Sequence, residues 1–116
     1  MSKLVNLIAI ENIPLIQPND NIAEIIFSAI KIANTKIKNG DIFVVAQKVI
    51  SKAEDRYVYL NNIIPSKEAV ELSEQTDKDP RLVELILRES KKVVRSRKGI
   101  IVVEHNLGFV HANAGI

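Results

Sequence analysis

The chain has 116 residues, 47% of them hydrophobic and 26% charged, which suffices for one core and is short for two. A formal charge of +2 and an aromatic content of 4% argue against a nucleic-acid binder, which needs a basic footprint and rings for stacking. The lack of cysteine rules out disulfides and thiolate metal sites and fits a cytoplasmic protein, and no stretch approaches the roughly twenty apolar residues of a membrane span.

Leu4 to Ile10 reads as a first strand; it has no small-residue cleavage site that would make it a signal peptide. Pro14 and Pro18 then break regular structure. Ile22, Ile25, Ile26, Ala29, Ile30 and Ala33 recur along one helical face, with Asn19 or Asp20 placed to cap it. After a turn at Asn39-Gly40-Asp41, the run Ile42 to Ala46 is continuously apolar, as in a strand covered on both faces. Strand, helix, strand is the order of a crossover between parallel strands. The polar residues Gln47, Lys48, Ser51 and Lys52 would then lie at a strand's carboxyl end, where open α/β sheets commonly bind ligands. Lys48, Lys52 and Arg56 suit an anion such as phosphate.

Tyr57 to Leu60 reads as a short strand, and Pro65-Ser66 opens a helix from Lys67 to Glu74. Asp79-Pro80 starts another to Ser90, with Leu82, Val83, Leu85, Ile86 and Leu87 apolar and Glu84 paired with Arg88 on the wet side. Lys92 to Arg97, Gly99 to Glu104 and Phe109 to Ala112 read as strands joined by tight turns, hence antiparallel. The expectation is a mixed α/β fold, an α+β sheet with packed helices, in one unbroken domain over 1–116.

Neither a P-loop nor a Rossmann glycine fingerprint is present among the four glycines, so a phosphate site here must use turn or helix-start N–H groups and lysines. Lys52 taken alone is a solvated surface lysine. Ile13-Pro14-Leu15-Ile16 taken alone is a hydrophobic loop anchoring the first helix. His105 and His111, with no other histidine and no acidic cluster nearby, read as structural. Asn113-Ala114-Gly115 suits either close backbone approach to a ligand or a simple turn. The basic residues Lys91, Lys92, Arg95, Arg97 and Lys98 divide between strand faces and protect an edge, while Glu54, Glu68, Glu71 and Glu74 read as surface. No paired-carboxylate site and no metal site is assigned within the chain.

Gly40 to Arg56, with its segment Val49-Ile50-Ser51-Lys52-Ala53-Glu54-Asp55-Arg56, resembles the early signature of the coenzyme F(420)-0:γ-glutamyl ligases. Ile13-Pro14-Leu15-Ile16 and Gly108 to Ile116 agree with that family in order and spacing. Asp55 stands where the family usually has glycine, and Asp tolerates left-handed backbone better than most residues. The resemblance implies a GTP-dependent ligase that adds L-glutamate to the deazaflavin precursor through an acyl phosphate. It implies GTP contacts at Ile13, Pro14, Leu15, Ile16, Gln47, Lys48 and Lys52, Mg²⁺ or Mn²⁺ as cofactor, and a homodimer. It also implies a metal-binding aspartate directly after Ile116, so the chain is expected to be the amino-terminal half of the ligase domain and inactive alone. Two other readings remain: a non-catalytic nucleotide-binding or assembly module, and a degenerate fragment.

Overall fold

The computed structural model describes residues 3–116. They form two compact units, one running to Tyr57 and the other from Val58 to Ile116. Four helices and a three-stranded sheet make this a mixed α/β fold. No helix among the described residues is long and apolar enough to cross a membrane.

The first unit is organised around α1 (Ile22–Ile32), whose inner face buries Ala29 and Ile30 and half-buries Ile22, Ile25 and Ile26. Its cap is Asn21, which accepts from the Glu24 N–H at 3.3 Å, rather than Asn19 or Asp20. Asp20 instead accepts from the Gln17 N–H at 2.7 Å, and Asn19 takes a positive φ of 69°, so both are committed to the preceding turn. The helix α2 (Gln47–Ala53) begins where a polar turn was expected.

Both expected strands of this unit require correction. Residues 4–10 and 42–46 are extended, yet neither is paired into a sheet among the described residues. The second is bare rather than covered on both faces, with Ile42 86% and Val44 90% exposed. A strand is defined by a hydrogen-bonded neighbour, which a local apolar run cannot supply. The expected parallel crossover is accordingly absent from the described residues.

The second unit opens with an extended Tyr57 to Tyr59 and a short 3₁₀ turn at Leu60–Asn62 in place of the expected strand. The helix α3 (Lys67–Thr76) starts at Ser66, whose side chain accepts from the Ala69 N–H at 3.2 Å, and ends at a left-handed Asp77. Asp79 caps α4 (Pro80–Arg88), with Pro80 at the first helical position, where its missing N–H costs nothing. Glu84 is not on a wet face: its side chain is only 12% exposed, because it both accepts from the Ser66 N–H at 2.9 Å and pairs with Arg88.

The strands β1 (Ser90–Arg97), β2 (Ile100–His105) and β3 (Val110–Ala112) form an antiparallel sheet in that order, as the tight turns required. β2 alternates strictly and buries Ile101, Val103 and His105. Against it pack Ala69, Val83, Ile86 and Ala114 to form the core. β1 departs from alternation because its register slips between Ser90 and Lys92 and again between Val93 and Arg95. These irregularities turn Lys91 with Lys92, and Val94 with Arg95, outward in pairs. The basic residues therefore crowd the exposed side of an edge strand instead of dividing between faces.

Candidate functional site

In the first unit, the loop Ile13 to Ile16 and helix α2 are brought together from segments more than thirty residues apart in sequence. The Asn19 N–H donates to the Ala53 carbonyl at 2.8 Å, tying the end of this loop to the end of α2. Ile16 is buried and Ile13 half-buried, whereas Pro14 and Leu15 face solvent, Leu15 being 84% exposed. The loop thus anchors by its outer residues and presents its middle pair.

Along α2, Gln47 and Lys48 occupy the first turn, where helix geometry leaves N–H groups without intrahelical partners. Its cap, Ala46, supplies no side-chain acceptor for them. Lys48 and Lys52 stand four residues apart and so project from the same helical face. Lys48 is exposed and Lys52 half-buried. The Ser51 hydroxyl is occupied by the Lys48 carbonyl at 3.2 Å. Arg56 closes the segment, its N–H donating to the Ser51 carbonyl at 2.9 Å, across a turn in which Asp55 has φ 52°. Asp55 therefore does occupy the left-handed conformation expected of a position that glycine would fill.

A cavity of about 550 Å³ lies behind these elements. Ile13, Ile16 and Val49 line it, together with the inner face of α1 and both unpaired extended segments. Pro14, Leu15, Gln47, Lys48 and Lys52 are not among its walls. The seven residues expected to meet a nucleotide thus separate into two apolar anchors turned inward and five groups turned to the surface.

In the second unit, Asn113, Ala114 and Gly115 all take positive φ, at 53°, 54° and 80°. Ala114 is buried in the core and the Asn113 side-chain oxygen accepts from the Ile101 N–H at 3.0 Å. This pin from a side chain to β2 was not legible in the sequence beyond the tolerance of Asn for left-handed backbone. His105 is held structurally. Its Nδ1 accepts from the Leu107 N–H at 3.0 Å, its Nε2 lies 3.5 Å from Glu89, and its ring stacks on Phe109 at 4.6 Å. His111 is exposed, with Nδ1 2.8 Å from the Ala112 carbonyl oxygen. Among the described residues no group of three or more His, Asp or Glu side chains could hold a metal ion.

Two carboxylates of this unit are electrostatically perturbed. Hydrogen bonds from Arg81 hold Asp79 down from the ordinary 3.8 to about 2. Glu84 is lowered chiefly by the Ser66 backbone N–H, with Arg88 contributing. Both serve helix starts, Asp79 as the cap of α4 and Glu84 by holding the residue that caps α3.

A pairing of a hydrophobic loop with a lysine-bearing helix start is what an anion-binding module of an α/β enzyme offers. The chain belongs to the F420-0:Gamma-glutamyl ligase family, whose model matches residues 11–116. It is similar to the coenzyme F420:L-glutamate ligase of Methanothermobacter thermautotrophicus, 45% identical over 112 residues, which are 97% of this chain and 44% of that protein. The Methanocaldococcus jannaschii protein of the same name is 47% identical over 73% of this chain and 34% of its own length. That of Methanopyrus kandleri is 41% identical over 92% of this chain and 42% of its own. The chain therefore spans less than half the length of these curated relatives.

Proposed function

We propose that this chain is the amino-terminal, nucleotide-handling part of a cytoplasmic ligase that joins L-glutamate to coenzyme F420-0 through an amide bond at the expense of GTP. The observation that carries this reading is membership of the ligase family across nearly the whole chain. Water opposes amide formation from a free carboxylate, so the carboxylate has to be activated. In the proposed sequence a carboxylate oxygen of the precursor attacks the γ-phosphorus of GTP, and the bond to the bridging oxygen breaks to release GDP. The glutamate amine then attacks the acyl carbon, phosphate departs with its bonding pair, and the amine gives up a proton to yield the amide.

Such transfer depends on positioning and on neutralising charge. Lys48 and Lys52, on one face of α2, are the groups that would offset the polyphosphate charge, with the first-turn N–H groups of Gln47 and Lys48 beside them. Pro14 and Leu15 offer an exposed apolar platform for a base, and Ile13 and Ile16 hold that platform in place. Mg²⁺ or Mn²⁺ would be held by residues outside this chain, since the described residues supply no ligand cluster. No step is drawn through the metal. A homodimer in the complete enzyme belongs to the same proposal.

The test joins this sequence to the carboxy-terminal part of the Methanothermobacter ligase and measures GDP release and glutamylated product. Lys52→Ala is expected to lower kcat/KM by about a hundredfold, the usual effect of removing one preorganised electrostatic group. Wild-type turnover in that variant would remove Lys52 from the site. A second reading, a nucleotide-binding module without catalysis, is favoured by the chain's covering under half of its relatives. It expects calorimetric binding of GTP or GDP to the 116-residue chain itself, and no binding heat eliminates it.

A further inference from the structure

The extended segments 4–10 and 42–46 combine two properties that rarely coexist in a finished fold. Their side chains are strongly apolar and exposed, with Leu7 93%, Ile42 86% and Val44 90% accessible. Their backbones also lack partners: no hydrogen bond from or to the backbone of 4–10 or 42–45 occurs among the described residues. Open strand edges of this kind are templates for pairing with another chain.

The side chains from Ile42 to Val45 are 86%, 49%, 90% and 36% exposed in turn, which is the alternation of a strand with one face laid on its own unit and the other bare. The two segments do not face each other directly. They form opposite walls of the cavity of about 550 Å³, whose floor is the Ile22, Ile25, Ile26 and Ile30 face of α1. The space is apolar and elongated by the two strand-like walls, as suits an inserted strand better than a polar ligand.

We propose that this cleft is the docking site of a β-strand from the carboxy-terminal part of a coenzyme F420 ligase, which enters between the two segments and completes a sheet over α1. The occupant follows from length. The chain matches 44% of the Methanothermobacter protein and 97% of itself, so more than half of that relative has no counterpart here. A second copy of this chain fits less well, because its own free segments are already the walls of its own cleft and would pair only along the outer edges. The inference rests on family membership and not on the nucleotide reading, so a failure to bind GTP leaves it standing.

The experiment is hydrogen–deuterium exchange on this chain alone and on the chain fused to the carboxy-terminal part of the Methanothermobacter ligase. In the fusion the amides of 4–10 and 42–46 are expected to exchange at least about a hundredfold more slowly than in the chain alone, while those of β1 and β2 are unchanged. Val44→Lys in the fusion is expected to restore fast exchange in both segments. Val94→Lys, at a position 53% exposed on β1, is expected to change neither. Fast exchange at 4–10 and 42–46 in a fusion whose β1 and β2 amides stay protected overturns the proposal. So does protection of these segments in the chain alone accompanied by dimer formation, which assigns the cleft to a second copy. The same amides are read with the two parts co-expressed as separate chains, so an insoluble fusion does not end the test.

Discussion

Asp55 and Asn113 are individual residues whose backbone conformation explains their identity. Each sits at φ near +50°, a region that costs ordinary L-residues about 1–2 kcal/mol and short polar ones less. Asn113 does more than tolerate the turn, because its side chain satisfies the N–H of Ile101 inside the second unit. Asn113→Ala is therefore expected to destabilise that unit by about 1–3 kcal/mol, measured by urea unfolding followed through sheet circular dichroism. At the same scale, Lys52 was legible only by resemblance, since a single lysine carries no signal of its own. The three-dimensional arrangement adds that Lys48 shares its helical face, so Lys48→Ala is expected to weaken GTP binding in the same direction as Lys52→Ala.

Helices were legible as elements because each carries its own start signal and face. Ser66, Asp79 and Pro80 mark α3 and α4 in the sequence and do cap or open them in the structure. The cap of α1 was misassigned by one or two positions because Asn19, Asp20 and Asn21 are all competent, and the Gln17 turn engages the first two. Ser66→Ala is expected to cost about 1 kcal/mol, seen in the urea midpoint. The lowered carboxylates at the helix starts also set a pH dependence. A group whose folded pKa lies below its unfolded value contributes stability above the unfolded value and loses it as pH falls. Asp79 and Glu84 are thus expected to make the second unit progressively less stable as pH drops from their ordinary 4.5 and 3.8 towards about 2. Thermal melts across that range should flatten in Asp79→Asn.

For the whole molecule, the uneven distribution of buried surface matters most. The second unit has a continuous core in which Val83, Ile86, Ile101 and Val103 are fully inaccessible, so Ile86→Ala is expected to cost about 2–5 kcal/mol. In the first unit only Ile16, Ala29 and Ile30 are buried, while the strand-like segments are bare. Ile42→Ala is accordingly expected to change the stability of the isolated chain by less than about 0.5 kcal/mol. The contrast between these two isoleucines, read by urea unfolding, checks the assignment.

Family, helix positions, antiparallel order of the last three strands and the left-handed turn at Asp55 were all determined by the sequence itself. These depend on local signals, namely caps, helical periodicity, tight turns and motif spacing, which act within a few residues. The tertiary structure alone decided that residues 4–10 and 42–46 stand unpaired, that Glu84 turns inward to hold Ser66, and that β1 turns its charges to one side. Each of these depends on a partner distant in sequence or on a register slip against a neighbouring strand, and neither is encoded in the segment that displays it.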